Sequence, residues 1–320
     1  MTILVWRQEG PGFTQWILEN QHWRLTVAPD LGGMAVSLIH RPSGEELLRR
    51  PFNRQAWENE PYLYGIPVLF PPGRITGGTF QWRGMRYEWP RNDTRGPNHL
   101  HGFVWNKPWK VTDIRGRLAV SSSAEVEDAL KQYLGAATQL TITYELDDQT
   151  VLIKTTVRNP GPRAIPLALG FHTTWDLSKH DWLVTIPDGH AWKRTPDGGA
   201  QLVEEPERLM RLRTSAERCT KVVDDVCYRI NDGVDTEILM EHPSRPLKFR
   251  WCSDASFRHL VIYRPTENSP FICVEPWTWA SNAPNLAFRP DVTGVSGLAS
   301  GEFRQFCYSI SVVTENGHYE

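Results

Sequence analysis

This sequence predicts an all-β protein, a large antiparallel two-sheet β-sandwich. Three features carry that prediction: apolar residues recurring at period two, turn residues between those stretches, and little helical periodicity. Trp23, Leu25 and Val27 alternate with Arg24 and Thr26, and Leu140, Ile142, Tyr144 and Leu146 alternate with Thr141, Thr143 and Glu145. Leu247, Phe249 and Trp251 alternate with Lys248 and Arg250, and Phe306, Tyr308, Ile310 and Val312 alternate with smaller or more polar neighbours. Each stretch reads as a strand with one buried face.

The punctuation is turn chemistry. Pro42-Ser43-Gly44, Asp147-Asp148, Asn159-Pro160-Gly161, Asp188-Gly189, Asp197-Gly198-Gly199 and Asn231-Asp232-Gly233 are the clearest breaks. Thr150 to Val157 is expected to fold back on the strand ending at Leu146, and Thr79 to Trp82 on Met85 to Trp89. Short helices are expected over Glu125 to Leu134 and Glu204 to Arg213, with Pro206 limiting the start of the second. No linker, internal repeat or composition shift interrupts the pattern, so residues 1–320 read as a single domain.

Composition narrows the function classes. The formal net charge is -2, which predicts neither nucleic acid nor an anionic membrane as a partner. The 14 tryptophans suit a large sandwich core, with a few expected to line a site where an aromatic face stacks on a sugar ring. Five cysteines without a C-x-x-C pair suggest neither a disulfide framework nor a thiolate zinc site. The start, MTILVWRQEGPGF, lacks a secretory pattern, and no run reaches the ~20 apolar residues of a membrane span. A soluble cytoplasmic protein, monomer or homodimer, is the expectation.

Two stretches offer chemistry. LALGFHTTWD, Leu167 to Asp176, places His172 directly after an apolar run, and Glu275 closes the apolar run Phe271 to Val274. A histidine in such a run is more often a hydrogen-bonded core residue than a catalyst. A glutamate there is harder to dismiss, because Glu is rarely buried without a partner; a salt bridge to Arg74 is the structural alternative. One histidine and one carboxylate at strand ends are what acid–base chemistry on a neutral substrate needs. His99 and His101, two apart on a strand, would share a face and could bind a metal. No H-x-x-x-H or H-E-x-x-H partner supports them, so no metal is expected; His101, beside Gly102, is the better site candidate. Gly73 to Gly78 and Gly294 to Gly301 lack the lysine and following helix of a phosphate loop and read as loops.

The ordered set of motifs resembles the aldose 1-epimerase family, the galactose mutarotases. That family has an Asn-Arg-Ile-x-x-Gly-x-Phe segment, a Gly-x-x-Tyr hairpin and Leu-His-Gly. Here stand Gly73-Arg74-Ile75-Thr76-Gly77-Gly78-Thr79-Phe80, Gly84-Met85-Arg86-Tyr87 and Leu100-His101-Gly102. The family's Gly-x-His-Pro-Tyr-Phe resembles Gly170 to Trp175, its glutamate strand resembles Val274-Glu275-Pro276-Trp277, and its lead into the last strand resembles Leu298 to Glu302. Departures are Gly73 for Asn, Phe103 for the second Gly after the histidine, and Thr173-Thr174 for Pro-Tyr. The family's substrate-binding aspartate falls in a segment resembling Val223 to Tyr228, where Asp224 and Asp225 both fit.

The resemblance implies the family's galactose mutarotase-like supersandwich, a sugar cleft on one face, and no metal or organic cofactor. It implies a mutarotase interconverting the α- and β-anomers of a hexose such as galactose or glucose. Glu275 would be the base and His172 the acid, on opposite sides of the C1–O5 unit; Arg74 and His101 would hold the sugar, and Asp224 or Asp225 would bind hydroxyls. Unperturbed Glu and His side chains, near ~4.3 and ~6.5, are separated enough for opposite protonation roles. Two other readings stand beside it. One is a hexose-6-phosphate mutarotase on the same fold, with Arg91 and Arg95 either binding phosphate or serving as solvated loop charges. The other is a non-catalytic carbohydrate-binding or sensing protein. A glycosidase is more distant, since it normally needs two carboxylates and Glu275 is the one strong candidate.

Overall fold

Alternation in the sequence becomes alternation in burial. In the computed structural model, Leu140, Ile142, Tyr144 and Leu146 are buried along Gln139–Leu146, with part-exposed residues between them. Thr150–Arg158 repeats the pattern. These two strands pair as the expected hairpin, with Leu146 opposite Val151. The structure describes residues 2–180, 182–194, 200–202, 217–218, 223–230 and 235–313; of 192–194, 200–202, 217–218 and 223–228 it describes the backbone only. The helix expected over 204–213 lies outside the described residues. The other is present as Ala124–Leu134, capped by the Ser123 hydroxyl at Val126 N and closed by Gly135 in the left-handed region.

Two large antiparallel sheets form the body. One has nine described strands, in the order Trp109–Asp113, Leu118–Ser122, Gln139–Leu146, Thr150–Arg158, Phe303–Val312, Lys248–Ser253, Thr236–Glu241, Leu183–Thr185 and Glu217–Arg218. The other has eight, with His259–Arg264 and Phe271–Trp277 at its centre and Gly170–Phe171 and Val68–Leu69 beyond them. Aromatic side chains meet between the two. Phe171 stacks on Tyr308 at 4.9 Å, Trp175 lies 5.0 Å from Trp251, and the Thr173 and Tyr308 hydroxyls are 2.9 Å apart. Large, flat side chains on both inner faces fill the roughly 10 Å between packed sheets. Most of the tryptophans expected in the core are there: Trp23, Trp175, Trp182, Trp251 and Trp279 are fully buried.

A third sheet, which alternation alone does not separate from the other two, is built from the N-terminal strands Leu4–Glu9, Thr14–Glu19, Trp23–Ala28, Met34–His40 and Glu45–Glu46. It joins the same core through Trp23 against Phe249 and through the Tyr144 hydroxyl, which donates to Gly33 O at 2.7 Å. Among the described residues no helix is long and apolar enough to cross a membrane.

Candidate functional site

Strand register creates the site. Gly170 pairs with Trp277, and Thr174, Trp175 and Asp176 pair with Cys273, Ile272 and Phe271. Both ends count to the same antiparallel register, which sets His172 directly across from Glu275. Their side chains touch: His172 Nε2 lies 3.3 Å from Glu275 Oε1, with 6 % and 2 % of the two side chains exposed. The acid and base expected to flank the C1–O5 unit therefore stand side by side on one face of the sheet. Cross-strand neighbours on one face of an antiparallel pair have Cβ atoms only ~5 Å apart. The backbone around the pair is pinned, because His172 N donates to Pro67 O and Val274 N donates to Thr173 O.

Histidine 101 comes from a turn. The expectation that His99 and His101 share a face does not hold: the strand Asn98–Leu100 ends before His101, whose φ of 61° turns the chain. The rings separate as a result. His99 packs between Trp89 and Phe103 and donates from Nδ1 to Pro90 O at 2.7 Å, and burial pushes its pKa down to about 4. It is a neutral core histidine. His101 turns the other way, its ring 5.2 Å from His172 and 5.9 Å from Trp277. Its Nδ1 accepts from Gly73 N at 3.3 Å, so the ring proton sits on Nε2. Burial, with His172 and Arg74 nearby, holds His101 well below the ordinary histidine value. It is a neutral hydrogen-bond donor near neutral pH.

Two glycines make the turn possible. Gly73, where the family pattern has Asn, has φ of 75°, and a Cβ there would lie 2.8 Å from the Trp277 ring. Gly102, at φ of 71°, passes so close to Phe70 that a Cβ would sit 2.1 Å from its carbonyl oxygen. Only glycine fits both the left-handed backbone and the close approach.

Arg74 opens the strand Arg74–Thr76 and is buried. Its Nε donates to Asp93 Oδ2 at 2.7 Å, its N–H to Ser281 Oγ at 3.1 Å, and its carbonyl accepts from Asn282 N at 2.7 Å. Burial alone would raise the Asp93 carboxyl; Arg95 N–H, the Arg74 guanidinium and the Asn98 amide outweigh it and hold the pKa below the usual value. Asp93 thus adds stability that is fully present above the unfolded carboxyl value of ~3.9 and lost as pH falls through the lower folded value. Asp93→Asn is expected to cost about 1–3 kcal/mol at pH 7. Urea unfolding at pH 7 and below ~pH 3.9 checks this; the deficit should shrink in acid.

Sequence reasoning missed three neighbours. Asp93 sits in an unremarkable polar loop, RNDTRGPN, and only its burial against Arg74 shows its use. Tyr62 reaches the site from the loop after the helix Arg54–Asn59; its ring is 4.6 Å from His101, stacks on His172 at 5.9 Å and meets Trp105 at 4.2 Å. Tyr62 has φ of 71°, a left-handed backbone for a bulky residue, of the kind that concentrates at functional sites. Cys273, two residues before Glu275 and on the same face of the strand, is fully buried beside the pair. Asp224 and Asp225 fall at a register shift between Val223 and Val226, where that strand pairs with His259–Arg264. Their side chains lie outside the described residues, so the choice between them stays open.

Comparison with known proteins identifies the fold and the family. By fold the chain is similar to a galactose mutarotase-like protein from Clostridium acetobutylicum, with TM-score 0.87 and 21% identity over 97% of this chain and 98% of that one. It is also similar to the GalM/aldose epimerase homologue of C. elegans, with TM-score 0.73 and 16% identity over 98% of this chain and 100% of that one. In sequence it is 22% identical over 233 residues to the uncharacterized protein YihR of Escherichia coli K12, covering 71% of this chain and 74% of that one. The family model for aldose 1-epimerase matches residues 14–311, from the second strand of the N-terminal sheet almost to the end of the last strand. That match spans every site residue described above, and the chain belongs to the aldose 1-epimerase family.

Proposed function

We propose that the protein is a mutarotase, which interconverts the α- and β-anomers of an aldose by opening and reclosing its ring. The observation that carries this is the buried contact of His172 with Glu275 at 3.3 Å. The C1 hydroxyl oxygen and the ring oxygen O5 are bonded to one carbon, so a base and an acid standing side by side reach both. The Glu275 carboxylate takes the C1 hydroxyl proton while His172 delivers one to O5, and the C1–O5 bond breaks to leave the open-chain aldehyde. Rotation about C1–C2 presents the other carbonyl face. Reclosure runs the transfers backwards, O5 returning its proton to His172 and Glu275 returning its own to the new C1 hydroxyl.

Neutral His101 supplies a hydrogen bond to a sugar oxygen, and Arg74, held by Asp93, supplies a cation that polarises one. Asp224 or Asp225 binds hydroxyls. Trp277 and Tyr62 offer apolar surface for the sugar's C–H groups and keep water from the reacting atoms.

A sugar-phosphate substrate is the second reading, supported by Arg95, an exposed cation whose charge reaches His101. Arg91 is less available, since its Nε donates to Gly77 O. Polarimetry of freshly dissolved α-anomers across free and phosphorylated aldoses tests both. Equilibration faster than the buffer blank for at least one sugar is the expected result. No acceleration for any of them, alongside measurable sugar binding, would leave a carbohydrate-binding protein.

A further inference from the structure

Glu275 and His172 have a third partner that anomer interconversion does not use. Cys273 precedes Glu275 by two residues, shares its strand face, and lies across from Thr174, whose hydroxyl is 3.4 Å from its sulfur. One donor atom from each of His172, Cys273 and Glu275 lies within 4.8 Å of the others, and all three residues are buried. We propose that His172, Cys273 and Glu275 form a binding site for a thiophilic divalent cation of the zinc class, and that the ion inhibits the enzyme by occupying its acid and base.

The donor set and its spacing support this. Thiolate, imidazole and carboxylate are the three common protein ligands of zinc. Bonds of about 2.0–2.3 Å in a tetrahedron put ligand atoms roughly 3.3–3.8 Å apart. The pair at 3.3 Å already meets that spacing, and the Cys273 sulfur lies within 4.8 Å of both donor atoms. Charge is matched as well. A thiolate, a carboxylate and a neutral imidazole cancel a 2+ ion, which matters where burial penalises net charge. On binding, the Cys273 thiol loses its proton to solvent, a metal–sulfur bond forms, and no oxidant or reductant is needed. The fourth position is left for water.

The other cluster of three such donors among the described residues, Glu45, His180 and His242, already has a cation: the Arg245 guanidinium bonds to Glu45 and donates to His242 Nε2 at 3.2 Å. Among the described residues no guanidinium is hydrogen-bonded to Cys273, although the charge of Arg49 reaches it.

The metal site stands on geometry alone; only the inhibition rests on the mutarotase reading. The full chain, reduced and freed of metal, is titrated with Co²⁺ and then with Zn²⁺. A near-ultraviolet thiolate-to-cobalt charge-transfer band should saturate at one equivalent and disappear when zinc displaces cobalt. Cys273→Ser, checked for fold by circular dichroism, should lack the band; Cys273→Ala replaces it if the serine variant does not fold. Saturating Zn²⁺ should lower native mutarotation at least ~10-fold, and Cys273→Ser should need at least ~10-fold more zinc for the same loss. Absence of the band, or its survival in both Cys273 variants, overturns the site. If the band behaves as expected and no sugar mutarotates, the site stands and the catalytic reading fails. If the band behaves as expected and zinc leaves mutarotation untouched, inhibition is overturned.

Discussion

Glu275→Gln should lower kcat for mutarotation by ~10²–10⁴-fold while leaving the fold intact, which is the usual contribution of a general acid or base. The side chain is 2 % exposed in the middle of the strand Phe271–Trp277, which is buried along its whole length. A substitution that changed volume would open a cavity there, but the amide is nearly isosteric and can still bond to His172 Nε2. What it cannot do is accept the C1 hydroxyl proton. KM should change little, because Arg74 and His101 still hold the sugar. Circular dichroism and steady-state polarimetry decide it. A folded variant with near-native turnover would remove Glu275 as the base and move the search to Asp224 and Asp225.

His172→Asn should cost a similar ~10²–10⁴-fold in kcat. Asparagine keeps a polar group beside Glu275 but cannot protonate O5. The double variant should lose far less than the product of the two single losses, since proton removal and delivery belong to one ring opening. The pH profile adds a separate check. Native activity should follow a bell, rising as the base deprotonates and falling as the acid deprotonates, with both limbs belonging to the coupled pair. His101 adds no limb near neutrality, because burial holds it well below the usual histidine range. The alkaline limb should therefore vanish from the residual activity of His172→Asn. An unchanged bell would assign the acid to another group.

Period-two alternation determined the strands of this protein, because burying one face of a pleat needs nothing beyond the local pattern. Leu140 to Leu146 and Phe306 to Val312 lie where their alternation puts them. His172 and Glu275 were legible as candidates for the same local reason, a polar group ending an apolar run. The tertiary structure decided how they meet. Residues 103 positions apart in the chain touch only because two strand segments share one register, and no local pattern encodes the pairing of strands so distant. His101 shows the limit most clearly. Two-residue spacing placed it on the face of His99, and a left-handed turn, allowed by Gly73 and Gly102, sent it to the site instead. Asp93, Tyr62 and Cys273 carry no sequence signal at all. A loop acid, a loop aromatic and a strand cysteine become site residues only through what packs against them, and packing is settled when the whole core closes.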